Sequence, residues 1–163
     1  MRLCRQPPPV IFDRMTADSP RIRELPDPTA TERLAAEAAS VAHPGDAVLL
    51  SGPLGAGKSV FARAFLREAA GDPALDVPSP TFTLVQSYAT RLGTVHHFDL
   101  WRLSGQADLA ELGWDAARED VVLVEWPERL GPLSPPGALH VTLSPTGETT
   151  RRAELRGWED RLP

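Results

Sequence analysis

The sequence predicts a three-layer α/β sandwich built on one mixed, partly parallel sheet that closes in a C-terminal β-hairpin. Three observations predict it. Runs at 46–51, 94–98 and 121–124 have the length of strands, and the first and last have the apolar composition of buried ones. Stretches with apolar residues at helical spacing alternate with them. A glycine-rich segment, Gly52 to Gly57, joins the first run to one such stretch, giving a strand, loop and helix in succession.

In chain order, residues 1–24 carry Pro7-Pro8-Pro9 and scattered Arg with little periodicity, and read as a flexible extension. A chain starting near Glu24 is expected to fold, so 25–163 reads as a single domain. Thr29 and Glu32 fit a capping box, and Leu34, Ala35, Ala38, Val41 and Ala42 continue it as a helix over 30–42 that His43-Pro44-Gly45 stops. After the glycine loop, Phe61, Ala62, Phe65, Leu66 and Ala69 mark a second helix face ending at Gly71. Residues 82–88 alternate as a strand, 94–98 form another that ends at Asp99, and 107–118 read as one helix. Val121 to Val124 form an apolar strand ending at Glu125, and 139–143, a turn at Pro145-Thr146-Gly147, and 151–155 form the closing hairpin.

The chain has 163 residues, 42% of them hydrophobic and 24% charged, which is the size of one domain. No run of about 18 apolar residues occurs, so no membrane span is expected, and the N-terminus lacks the apolar segment of a secretory signal. The expected compartment is the cytoplasm. Cys4, the only cysteine, has no intrachain partner and reads as inert. A net charge of -5 argues against unaided nucleic-acid binding, without excluding nucleic acid held by a partner. Of 17 basic residues, Lys58 alone is lysine, and asparagine is absent. Where Arg supplies ordinary surface charge, a surviving Lys points to a task that a guanidinium cannot perform.

That lysine lies in Gly52-Pro-Leu-Gly-Ala-Gly-Lys58-Ser59, which satisfies G-x-x-x-x-G-K-[ST] between an apolar strand and an amphipathic helix. The match arises by chance roughly one time in a hundred in a chain this long, and its context makes it rarer. Gly52, Gly55 and Gly57 let backbone N–H groups of the loop, including those at Ala56 and Val60, turn toward phosphate oxygens at a helix N-terminus. Lys58 would reach the β- and γ-phosphates, and Ser59 would offer its hydroxyl to Mg²⁺. The sequence is therefore read as that of a P-loop domain that takes ATP and Mg²⁺.

Such a site needs an acid at the end of a neighbouring strand, for the metal or the attacking water. Glu125 is the better candidate by pattern and Asp99 the other. Thr81, in Ser79-Pro80-Thr81, lies where nucleotide-sensing loops bring a hydroxyl, although a simple turn before a strand reads equally well. His96 and His97 point to opposite strand faces, one buried and one exposed, which is wrong for joint metal ligation. Trp126 reads more readily as packing than as a base-stacking group.

Taken together, Gly52 to Ser59, Ser79-Pro-Thr-Phe-Thr-Leu84, His97-Phe-Asp-Leu-Trp-Arg-Leu103, Glu111-Leu-Gly113 and Val124-Glu-Trp-Pro127 resemble the TsaE family of bacterial tRNA threonylcarbamoyladenosine biosynthesis, from about Leu25 to Leu155. The resemblance implies a P-loop ATPase that supports a TsaB–TsaD complex in modifying the adenosine beside the anticodon of tRNAs reading ANN codons, with tRNA met only through the complex. It implies that Lys58 and the backbone of Gly55 to Val60 bind phosphates, that Ser59 and Glu125 hold Mg²⁺, and that Asp99 and Thr81 serve hydrolysis or nucleotide sensing. It further implies that Thr29 or Thr31 and Arg151 lie near the base and phosphates. Ser59 and Phe82 stand where many members have Thr and Tyr, and Trp101 where Tyr is usual. Ser59 keeps the hydroxyl ligand, whereas Trp101 removes the phenol.

Two other readings share the loop. A small metabolite or nucleotide kinase would need an acceptor pocket and an Arg-bearing lid, yet Arg91 is the only basic residue between the P-loop helix and Arg102. A nucleotide-gated adaptor would bind ATP without turnover. A regulatory GTPase is excluded, because a chain without Asn has no guanine-reading Asn-Lys-x-Asp element.

Overall fold

Seven strands form one sheet in the order β1-β7-β6-β2-β5-β4-β3 in the computed structural model, which describes residues 19–162. The elements are β1 (Arg21–Leu25), α1 (Pro28–Ser40), β2 (Ala47–Ser51), α2 (Lys58–Ala70), β3 (Val85–Thr90), β4 (Gly93–Asp99), α3 (Gln106–Glu111), α4 (Trp114–Ala117), β5 (Val121–Glu125), β6 (Leu139–Pro145) and β7 (Arg151–Arg156). A 3-10 segment over Pro127–Leu133 follows β5. The central strands β6, β2, β5 and β4 run parallel, while β3 pairs antiparallel with β4, and β7 with β6 and β1. The mixed sheet and the closing hairpin are those expected.

Alternation along the central strands splits the core in two. Val48 and Leu50 of β2 and Val121 and Leu123 of β5 pack under α1 and α2. Ala47, Leu49, Val122 and Val124 face the other layer, with Leu109 of α3 and Trp114 of α4. Strands buried on both faces read as continuous apolar runs, which is why 46–51 and 121–124 stand out in the sequence.

Four boundaries differ from those expected, each for a physical reason. Helix α1 starts at Pro28, because Asp27 accepts the Ala30 N–H at 2.8 Å and the Pro at the first helical position needs no partner for its nitrogen. Thr29 is thus inside the first turn rather than the cap. Residues 80–84 make a turn in which the Leu84 N–H reaches the Pro80 carbonyl and Leu84 takes a φ of 65°, so β3 begins at Val85. Thr81 lies in that turn rather than at a strand start. The helix expected over 107–118 is two short helices, broken where Gly113 adopts φ 77°. The break lets Trp114 turn inward, edge-on to Phe98 at 5.2 Å.

The last difference lies at the N-terminal boundary. Residues 1–18, with Cys4 and the proline run, lie outside the described residues. Arg21–Leu25, read as mostly flexible, is an edge strand in register with β7, Arg21 opposite Leu155 and Leu25 opposite Arg151. Arg21 donates to the carbonyls of Gly157 and Leu162, and Arg152 pairs with Glu24 at 2.8 Å. A chain beginning at Pro26 is expected to fold but to lose about 2–4 kcal/mol of stability with these ladder bonds, a fall in melting temperature of roughly 5–10 °C by calorimetry. An unchanged melting temperature would show that β1 adds nothing.

Candidate functional site

The parallel strands β2, β4 and β5 end on one edge of the sheet, where ligands of open α/β sheets bind. Asp99 at the end of β4 is in register with Glu125 at the end of β5, which sits opposite Leu50 of β2. Period 2 puts His97 and Asp99 on the face of Val95, and Glu125 on the face of Leu123, which is the side packed against α2. Helix α2 begins at Lys58, so Ser59 meets Glu125 from its first turn.

Between β2 and α2 the loop is shaped by its glycines. Gly52 has φ 142°, and a Cβ there would stand 2.4 Å from the Leu143 carbonyl oxygen of β6, so only glycine lets the chain leave the sheet there. Gly57, at φ 102°, turns the chain into α2. Two cations organise the loop carbonyls. Lys58 Nζ donates to the carbonyls of Gly52 at 2.7 Å and Pro53 at 2.9 Å. Arg151, at the start of β7, donates to those of Gly55 and Ala56, both at 3.1 Å. The electronegative sides of these peptides are thereby turned onto fixed cations.

Lys58 is buried, with Nζ 4.1 Å from the centre of the Trp126 ring. Burial pushes its pKa below the usual 10.5, against the opposing pull of Glu125, Asp99 and Glu128. Trp126 in turn packs on Trp101 with ring centres 4.4 Å apart. The acids have separate partners. Glu125 accepts from Ser59 Oγ at 3.4 Å through Oε2 and bonds His97 Nε2 at 2.9 Å through Oε1. Asp99 accepts from Thr81 Oγ1 at 3.0 Å and from the Trp101 N–H at 3.1 Å, and Ser79 joins Thr81 at 2.7 Å.

A cavity of about 400 Å³ opens over these groups. Nine of the residues expected to serve nucleotide, metal or water line it: Gly55, Gly57, Lys58, Ser59 and Val60 from the loop and helix, then Thr81, Asp99, Glu125 and Arg151, with Trp101 and Trp126 beside them. Gly52 and Ala56 shape the loop from behind. Thr31 is buried and borders an adjoining recess of about 120 Å³ with Gly57, Val60 and Arg151. Thr29 faces away, into a cleft between α1 and α2 with Arg67 and Arg91, so of the two threonines only Thr31 is near the loop. Sequence reasoning missed His97 as part of the site, and missed Arg102, which lines the cavity and stacks on Phe82 at 4.9 Å. The signal for His97 was its place two residues before Asp99, on the same strand face.

The oxygens of Ser59 and Glu125 form a hard donor pair that suits Mg²⁺. Among the described residues no cluster of three or more His, Cys, Asp or Glu could hold a metal alone, so a cation here would need further oxygens from a ligand. No described helix is long and apolar enough to cross a membrane.

The family model "Threonylcarbamoyl adenosine biosynthesis protein TsaE" matches residues 25–153. A tRNA threonylcarbamoyladenosine biosynthesis protein TsaE of Rickettsia felis is 38% identical over 126 residues, 77% of this chain and 73% of that one. One from Bacillus subtilis is 32% identical over 127 residues, 77% of this chain and 78% of that one. The crystal structure of Bacillus subtilis YdiB superposes with a TM-score of 0.69 at 26% identity, covering 88% of both chains.

Proposed function

The chain belongs to the TsaE family of tRNA threonylcarbamoyladenosine biosynthesis, and from that premise we propose that it binds and hydrolyses Mg-ATP to support a TsaB–TsaD complex in threonylcarbamoylation of the adenosine next to the anticodon of tRNAs reading ANN codons. One observation carries the ATPase part: Lys58, Ser59, Asp99 and Glu125 line one cavity at the carboxyl edge of the sheet.

The loop N–H groups and the first turn of α2 cradle the phosphates, and Lys58 Nζ moves from its loop carbonyls to the β- and γ-phosphate oxygens. Ser59 and Glu125 hold Mg²⁺, which when bound neutralises charge on the β- and γ-phosphates. Asp99, positioned by Thr81 and the Trp101 N–H, orients the attacking water and takes its proton. Arg151 keeps the loop in shape through the Gly55 and Ala56 carbonyls. The negative net charge supports contact with tRNA only through the complex.

The test is phosphate release from Mg-ATP by the pure chain, with and without TsaB–TsaD. Release that rises strongly with the pair is the expected result. Release indifferent to the pair would favour a small kinase, and nucleotide binding with no release under either condition a nucleotide-gated adaptor.

A further inference from the structure

We propose that His97 is the positioning residue of the metal site: its Nε2–H holds one oxygen of Glu125 so that the other faces Ser59 and the cation. The proposal rests on the Mg-ATP reading above and deepens it.

Both side chains are almost fully buried, 2% exposed for His97 and 3% for Glu125. A carboxylate removed from water to that extent is costly unless its oxygens find donors. The two oxygens of Glu125 have different partners, His97 Nε2 at 2.9 Å on Oε1 and Ser59 Oγ at 3.4 Å on Oε2. The shorter bond fixes the rotation of the carboxylate. The longer one marks the oxygen that is turned toward Ser59.

The other ring nitrogen settles which tautomer does this. His97 Nδ1 is buried with no hydrogen-bond partner. A proton there would lack an acceptor and would also set the Nε2 lone pair against Oε1, two penalties at once. The Nε2–H tautomer avoids both. Packing alone does not explain a histidine here, since Val95, the preceding residue on this face of β4, is apolar and fully buried. His96, on the opposite face, makes the contrast: it pairs at the surface with Asp120 at 3.0 Å and Ser87 at 2.8 Å. A donor behind a metal-binding carboxylate commonly changes metal affinity by about 10–100-fold when removed.

The experiment uses the full chain with the non-hydrolysable analogue AMP-PNP, and Mn²⁺ read by electron paramagnetic resonance. His97→Leu is expected to weaken Mn²⁺ uptake at least about tenfold while AMP-PNP affinity in EDTA stays within about threefold. His97→Gln, whose amide nitrogen falls near the place of Nε2, is expected to restore Mn²⁺ uptake to within about threefold of wild type. Wild-type uptake in His97→Leu, an equal loss in both variants, or an equal loss of metal-free AMP-PNP binding would each overturn the proposal. If the leucine variant does not fold, nitrogen-15 NMR of the wild type decides: a proton on Nε2 supports the proposal, and an Nε2 without a proton overturns it. A wild-type chain that binds AMP-PNP neither with nor without Mn²⁺ would overturn the ATP reading itself.

Discussion

Replacing Lys58 with alanine is expected to lower phosphate release from Mg-ATP by about 10²–10³-fold, or roughly 3–4 kcal/mol of transition-state stabilisation, with little change in melting temperature. The ammonium is buried under Trp126 and among the carbonyls of Gly52 and Pro53, so it acts where the dielectric is low and a single charge counts most. Burial already pushes its pKa down, which means that the folded protein bears a cost to keep a charge there. Removing the charge relieves that cost and offsets the two lost hydrogen bonds, so stability changes little while catalysis falls. Lys58→Arg should recover only part of the activity, because a planar guanidinium does not reproduce the compact point charge that Lys58 places against the loop carbonyls and Trp126. Near-normal turnover in the alanine variant would sink the site assignment.

The same residue explains why so much of this site was legible in the sequence. A P-loop is local: its glycines, its lysine and its hydroxyl follow one another along the chain, and the conformations they need, such as φ 142° at Gly52, are written in residue type. The acids were legible at one remove, because β5 is apolar and buried throughout and ends visibly at Glu125, while the shorter signal of Val95 and Phe98 in β4 ends at Asp99. What the sequence hid depends on distant parts of the chain. Strand β1 alternates Arg and Glu with Ile22 and Leu25 and carries little apolar signal of its own; its order comes from pairing with β7, some 130 residues away. Thr29 matched a capping box as well as any residue, yet Asp27 took the cap because Pro28 is best suited to the first helical position. Two residues along α1 then place Thr31, rather than Thr29, beside the loop. His97 could be given a strand face but not a partner, since Glu125 meets it only through the pairing of β4 with β5.

Asp99→Asn is expected to reduce kcat by about 10²-fold or more while KM for ATP stays within about threefold. Asparagine keeps the shape of the side chain and one oxygen, which can still accept the Trp101 N–H that Asp99 now accepts at 3.1 Å. What it loses is the charge and the second oxygen, which accepts from Thr81 at 3.0 Å. If that oxygen orients water and takes its proton, the loss falls on the chemical step and leaves phosphate binding to the loop and Lys58. Thr81→Val should then cost only about tenfold in kcat, because it removes the group that aims the carboxylate and leaves the base itself in place. Single-turnover measurements distinguish this from a binding role. A variant that keeps the wild-type single-turnover rate but raises KM would make Asp99 a group that acts on nucleotide affinity, through its field at Lys58, which it helps to keep protonated. Equal losses in Asp99→Asn and Thr81→Val would instead mean that the pair works as one unit, the hydroxyl being as necessary as the carboxylate it aims.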